Sequence, residues 1–317
     1  MPMRVLITGA AGNLGSLLAE HLLASNGIQL RLMIHHKPLS DRIRQADVEV
    51  VHADLGRRSV LPAAVDNVQV VVHFAGELFK PWPERFLQRT NVDYVCNLLQ
   101  ASTQSGVQRW ILVSFPHVEG ETNPERPATG RLDGKPESIH ARTRLAAEHA
   151  LFEASERSGM TAVVLRPGMI YARNVLMIEA GRWLMKRRLL PVWPRDTWIH
   201  LLSLPDFFAC TEAAICKPDV SGVYNLGDDA PLTLQSFLDQ LAEHWAFPRP
   251  RRMPWPLFPL AGLLTEIGAA LARTPAPLTR DFVRIGRASY ASDTSRMKAD
   301  LIDQLAYPTL ADGLSLL

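Results

Sequence analysis

The sequence is short of cysteine, of long apolar runs and of excess charge, and each shortage removes a class of protein. Its three cysteines, Cys96, Cys210 and Cys216, are odd in number and have neither a CxxC nor a metal-ligand spacing. That excludes a disulfide scaffold, gives no metal site and fits a reducing, cytoplasmic compartment. Basic and acidic side chains nearly cancel, at a formal +2, so no surface of the kind nucleic acid requires is implied; the basic runs 186–188 and 249–252 read as solvated faces or an anion site. The most apolar late segment, Leu257–Ala272, is interrupted by Glu266 and falls short of the roughly 20 apolar residues of a membrane span. It reads as a helix over an apolar pocket, with contact at a membrane surface as the lesser alternative. The start of the chain shows no secretion signal, and the chain has no internal repeat or low-complexity segment.

What is present is a large apolar fraction, 47% of 317 residues, enough for one α/β unit with a smaller appended lobe. Short runs of strand formers at 4–8, 48–52, 68–74, 110–114 and 162–166 alternate with helical stretches. That order predicts an α/β fold with a parallel sheet and right-handed crossovers. The first run opens into Gly9-Ala-Ala11-Gly12-Asn13-Leu14-Gly15, and Leu14, Leu17, Leu18 and Leu22 then recur at helical spacing. Glycine there permits a tight turn, close approach of the backbone to a pyrophosphate, and packing of helix on strand, with the helix N-terminus facing the phosphates.

TGAAGNLG resembles the Thr-Gly-x-x-Gly-x-x-Gly signature of short-chain dehydrogenases, and of their extended branch of NAD-dependent epimerases and dehydratases in particular. Other segments are similar to the same branch across nearly the whole chain. Asp54-Leu55 resembles the pair beside the adenine, Phe74-Ala75-Gly76 the turn under the cofactor, and Asn91 the asparagine of the next helix. The stretch 165–171 with Pro167 resembles the segment near the nicotinamide, Asp206 the aspartate of the returning strand, and 222–227 the last family strand. The resemblance implies a doubly wound Rossmann sheet over 1–168, with 199–227 returning to it, and a substrate lobe from 169–198 and 228–317. It also implies a small-molecule substrate and a homodimer through the helices around 91–102 and 142–155.

In dinucleotide folds a carboxylate after the second strand binds the ribose diol and repels a 2′-phosphate. Here that strand runs into His35-His36-Lys37, so NADP(H) is expected over NAD(H), with Lys37 or Arg57 as phosphate partner.

The family's Tyr-x-x-x-Lys pair is missing: none of the five tyrosines has a lysine four residues on. Aligned on 142–148, His140 stands at the tyrosine position and Arg144 at the lysine position, a four-residue step that leaves both on one helix face. Phe115 takes the place of the catalytic hydroxyl, with Ser114 or His117 as its nearest substitute. Arg144 can hold ribose hydroxyls but cannot relay a proton. Its charge favours neutral imidazole at His140, which suits a base for alcohol oxidation better than an acid for ketone reduction. The sequence thus supports an oxidoreductase or epimerase with an atypical site, acting on a sugar nucleotide or an apolar alcohol or ketone. The alternative is a catalytically inactive nicotinamide-binding sensor or scaffold. For the substrate, Arg173, Asn174, Arg182, Lys186, Arg187, Arg188 and Arg195 could meet an anionic nucleotide, while Met169, Met177, Trp183, Trp193 and Trp198 could line an apolar pocket.

Overall fold

Alternate residues of each central strand face opposite sides of one sheet, and both sides are apolar. Val5 and Ile7, Val70 and Val72, Ile111 and Val113, and Val163 and Leu165 pack into one buried cluster. Leu6, Val71, Trp110, Leu112, Ala162 and Val164 pack into the other. A strand apolar on both faces is buried between two helical layers, and such strands run parallel. The computed structural model, which describes residues 2–77, 79–276 and 278–317, has that architecture. Its main sheet holds β1 (Met3–Thr8), β2 (Ile28–Ile34), β3 (Glu49–His52), β4 (Val70–His73), β5 (Arg109–Val113), β6 (Thr161–Pro167) and β7 (Gly222–Leu226). They lie in the order β7-β6-β5-β4-β1-β2-β3, with every neighbouring pair parallel. The winding reverses between β1 and β4, and the crevice beyond their carboxyl ends is where such sheets bind ligands. The expected doubly wound Rossmann sheet is the one found, with each anticipated strand within about two residues of its place.

Four helices position the site and its surroundings: α1 (Asn13–Leu22), α2 (Tyr94–Gln104), α3 (Ile139–Ser158) and α4 (Leu176–Lys186). The cap of α3 is Ser138, whose side chain accepts from Ala141 N, and its stop is Gly159 in the left-handed region at φ 73°, the usual chemistry for the two ends of a helix. Next come α5 (Leu204–Cys216), α6 (Leu257–Ala272) and α7 (Arg280–Arg287).

Three placements differ from the sequence reading. Asp206 does not end a strand: Ser203 caps α5 and Pro205 sits in its first turn, so Asp206 is helical, and its carboxylate accepts from Ala306 N and Tyr307 N of the C-terminal segment. Within 199–227 only β7 joins the main sheet. Leu201–Ser203 pairs with Met169–Tyr171, and Trp198–Ile199 with Leu232–Thr233. Finally, α6 turns much of its apolar surface outward instead of covering a pocket, because its inward face is only Phe258, Gly262, Glu266 and Ala269.

Candidate active site

The glycine loop follows β1 because its closest approaches leave no room for a side chain. Gly9 has φ +68°, and a Cβ there would lie 2.8 Å from Ala75 N. A Cβ on Gly15 would lie 2.3 Å from Gly9 O, which is how closely α1 packs on the turn. Asn13 fastens the loop to the substrate side: its Nδ2 donates to Asn174 O at 2.7 Å and its Oδ1 accepts from Leu176 N at 2.8 Å. Ala11, Gly12 and Leu14 are half-buried, and Ala11 and Leu14 both pack against the core.

Beyond β2, His35, His36 and Lys37 are exposed, and His35 Nε2 lies 3.8 Å from Asp54 Oδ2 at the end of β3. Asp54 Oδ1 accepts from Gly56 N, and Leu55 O accepts from Asn97 Nδ2. Beyond β4, Ala75 N donates to Thr8 Oγ1, which also meets His73 Nδ1 at 2.9 Å, so the ends of β1 and β4 are tied together under Phe74 and Gly76. Pro167, at the end of β6, is buried.

The crevice also has polar atoms that no described residue satisfies. Asn91 stands in a widened turn, Arg89–Asp93, and donates to Thr143 Oγ1 at 2.9 Å, yet among the described residues its buried Oδ1 has no partner. Arg144 is buried with no partner for Nη1 among the described residues, and its Nη2 comes so near Gly76 that a Cβ there would lie 2.7 Å away. Burial lowers the Arg144 guanidinium to about 10, opposed by the charge of Glu148, so it remains a cation at neutral pH. Buried polar groups are nearly always paired. Orphans lining the cleft of a dinucleotide fold therefore fit a bound nucleotide whose hydroxyl and amide groups complete them.

His140 and Arg144 do share one face of α3. Burial first, then the Arg144 and His117 charges, lowers His140 to about 3. Neutral imidazole was expected, but so large a shift also makes it a weak base: placing a proton on it costs about 5 kcal/mol more than on a solvated imidazole. The His140 ring meets Phe115 edge to face at 4.8 Å, Phe115 stacks on His117 at 5.1 Å, and His117 lies 5.4 Å from Tyr290. His117 Nε2 bonds Ala288 O at 3.1 Å, while its Nδ1 and the Tyr290 hydroxyl are buried without partners among the described residues. Burial lowers His117 to about 4.

Ser114 is brought elsewhere. Its hydroxyl donates to Glu148 in a buried network that sequence reasoning missed. Arg166 Nη2 meets Glu148 Oε2 at 2.5 Å and Arg166 Nη1 meets Glu119 Oε1 at 2.8 Å, all three side chains being almost wholly buried. The available signal was an arginine inside the apolar run 162–167, which must find a carboxylate to be buried. Asp281 of α7 was missed too: it accepts from Ile139 N and His140 N at the start of α3.

Four of the five arginines expected around the substrate have other partners. Arg173 Nε donates to Leu317 O, Arg182 stacks over Trp245, Arg187 over Trp183, and Arg195 lies 3.9 Å from Glu121. Asn174 is at a turn with φ 68°, and Lys186 and Arg188 are exposed. Of the apolar set, Trp193 is buried against Phe258 and Val283, Met169 and Trp198 are half-buried, and Met177 and Trp183 face solvent.

A parallel sheet with its switch point at a glycine loop, and a helix carrying paired side chains across from it, is the frame of the extended short-chain dehydrogenases. The profile of the NAD dependent epimerase/dehydratase family matches residues 5–186, and the chain belongs to that family. Among curated relatives, a uronate dehydrogenase of Pseudomonas syringae pv. tomato is 26% identical over 234 residues, 71% of this chain and 75% of the relative. A ceramide reductase of Caulobacter vibrioides is 27% identical over 276 residues, 86% of this chain and 80% of the relative. Among solved structures, MoeE5 in complex with UDP-glucuronic acid and NAD superposes with a TM-score of 0.76 at 21% identity, over 99% of this chain and 97% of that one. At that identity the likeness concerns the fold.

Proposed function

We propose that the protein is a nicotinamide-dependent oxidoreductase for an apolar alcohol or ketone. The observation that carries this reading is the aromatic wall of Phe115, His117, His140 and Tyr290 beside Arg144, whose Nη1 has no partner among the described residues. Arg173, Arg182, Arg187 and Arg195, expected around an anionic substrate, are meanwhile engaged with other groups. A ceramide reductase among the relatives, aligned over 86% of this chain, supports an apolar substrate over a sugar nucleotide.

A bound nicotinamide supplies hydride transfer to or from the substrate carbon. Gly9, Ala11, Gly12, Leu14 and Gly15 receive the pyrophosphate, Asn13 keeping their loop on 174–176. Asp54 and Leu55 border the adenine, Phe74, Ala75 and Gly76 floor the site, and Asn91 and Arg144 offer Oδ1 and Nη1 to ribose and amide groups. His140 stays neutral and donates its ring N–H to the substrate oxygen; a neutral imidazole can polarise a carbonyl in this way. The proton for the product oxygen then comes from water, since taking one onto His140 is costly. Phe115, His117 and Tyr290 lower the polarity on one side of the reacting carbon and strengthen that hydrogen bond, leaving the oxygen open to water.

His35, His36 and Lys37 with no carboxylate after β2 favour NADP(H) over NAD(H), and α2 with α3 forms the homodimer face. Parallel calorimetric titrations with NADP⁺, NADPH, NAD⁺ and NADH test the cofactor; Lys37→Glu should reverse a preference of about tenfold, and tighter NAD(H) binding by the unaltered protein would refute it. Turnover of apolar ketones that His140→Ala loses, with cofactor affinity kept, supports the assigned role. The Ser114 hydroxyl held by Glu148 favours a second reading, a redox-state sensor. Unequal affinities for the two redox forms without any turnover would select it.

A further inference from the structure

Helix α6 has an outward face made only of apolar side chains. Leu257, Leu260, Leu264, Ile267 and Leu271 recur at steps of three and four and are all exposed, Leu264 to 61% and Leu271 to 82%. Ala261, Gly268, Ala270 and Ala272 extend that face. The opposite side packs closely on α7: a Cβ at Gly262 would lie 3.1 Å from Arg280 N. The helix's one acid, Glu266, is buried there, accepting from Arg280 N at 3.0 Å and Arg280 Nε at 2.8 Å. A contiguous exposed apolar strip of this length marks a surface that is covered in use.

The surrounding charge says by what. Residues 249–287 contain seven arginines and no lysine, and their two acids, Glu266 and Asp281, are both buried. Arg249, Arg251, Arg252, Arg273, Arg284 and Arg287 are exposed, and of these only Arg252 has an acidic partner among the described residues, Asp239. Arg273 closes the helix directly after its last turn. The pairing of Arg251–Arg252 with Pro191–Val192 joins this region to the end of α4, where Trp183 and Leu189 are exposed beside Lys186, Arg187 and Arg188.

We infer that the α6 face, with its arginine rim, docks this protein on an anionic lipid bilayer. The helix has 16 residues, about 24 Å of length, less than the roughly 30 Å hydrocarbon core, and no helix among the described residues is long and apolar enough to cross a membrane. It lies in the interface, leucines toward the acyl chains and arginines among the headgroups. A second copy is a poorer occupant, because a two-fold pairing of this face sets one arginine rim against the other. Docking there leads to the candidate site: α7 packs on α6, and its Asp281 holds the start of α3 at His140. The docking itself does not depend on the proposed chemistry.

The test is cosedimentation of the purified full chain with vesicles of phosphatidylcholine containing about one-third phosphatidylglycerol, and with phosphatidylcholine alone, at low and high salt. The expected result is binding to the anionic vesicles that high salt weakens, since each arginine at such a surface contributes roughly fivefold. Leu260→Ser with Leu264→Ser, and separately Arg273→Glu with Arg287→Glu, should each lower the partition by at least about tenfold. Melting by circular dichroism establishes that both variants are folded. The inference is overturned by absence of vesicle binding, by equal binding to neutral and anionic vesicles, or by both variants binding like the parent. It is also overturned if light scattering shows a dimer that the leucine variant abolishes.

Discussion

The buried network beneath Ser114 allows a double-mutant cycle with a definite sign. Arg166 is completely buried and lies between two carboxylates, Glu148 at 2.5 Å and Glu119 at 2.8 Å. Glu119 has further support from Thr129 N and Gly130 N, at 3.1 and 2.7 Å, whereas among the described residues Glu148 accepts from Ser114 and Arg166 alone. Removing one member of a buried ion pair costs about 3–5 kcal/mol, chiefly because the other charge is left without compensation. Glu148→Gln keeps Glu119 opposite Arg166 and should cost about 3 kcal/mol. Arg166→Met strands two carboxylates and should reach about 5 kcal/mol. In the double variant the stranded Glu148 charge is gone, so its loss should fall short of the sum by at least about 2 kcal/mol. Urea denaturation at neutral pH, followed by circular dichroism, reads all four corners of the cycle. Losses that add to within about 0.5 kcal/mol would refute the idea that these charges act as one unit.

Burial lowers His73 and His140 to about 3 and His117 to about 4, so the unfolded chain binds their protons first as pH falls. Stability is therefore full above about pH 6.5 and declines toward the folded values, by roughly 1.4 kcal/mol per pH unit for each histidine. Asp228, raised by burial to about 7, opposes that slope, and His140→Gln should flatten it by one histidine's share in denaturation series between about pH 6 and 4. Gly76→Ala places a Cβ 2.7 Å from Arg144 Nη2; calorimetry should show nucleotide affinity at least about tenfold weaker, and unchanged affinity would remove Arg144 from the cofactor site. Asp281→Asn takes a negative charge from the N-terminus of α3, where it accepts from Ile139 N and His140 N, and should cost about 1 kcal/mol of stability, read by thermal melting.

The sheet was legible because its signal is local. Two-sided apolar strands such as 162–166 and the glycine turn after β1 are fixed by side-chain periodicity and by the absence of a Cβ, and both can be read without a fold. The pairing of His140 with Arg144 was legible for the same reason, a four-residue step on one helix. What could not be read was brought in from far along the chain. Tyr290 reaches His117, Ala288 O meets its Nε2, and Asp281 caps α3, through packing of a lobe whose residues 280–290 have no periodicity that names α3. Arg166 demanded a buried carboxylate, but the chain offers 32 acids, and only the crossing of α3 over β6 selects Glu148. The outward turn of α6 was hidden because leucines at helical spacing look alike whether they face a core or a membrane.

These far-reaching contacts bear on why the site holds a cation so deeply. At steps of four along α3 stand neutral His140, positive Arg144 and negative Glu148, all buried. Arg166 and Glu119 continue the alternation inward, so the two cations and two carboxylates balance without reaching solvent. Glu148 is the charge that raises the Arg144 value against burial, yet no hydrogen bond joins the two among the described residues, and Arg144 Nη1 is left with no partner there. A structural ion pair would commit both groups to each other. Here the carboxylate bonds Ser114 and Arg166 while its field alone supports Arg144, which keeps the guanidinium charged, with Nη2 beside Gly76 and Nη1 without a partner among the described residues. Desolvating a donor without pairing it costs about 1–3 kcal/mol, and a ribose or carboxamide oxygen at that position would recover it. Burial, and after it the charge of Arg144, keeps His140 neutral: a proton there would sit next to Arg144 with no carboxylate bonded to its ring.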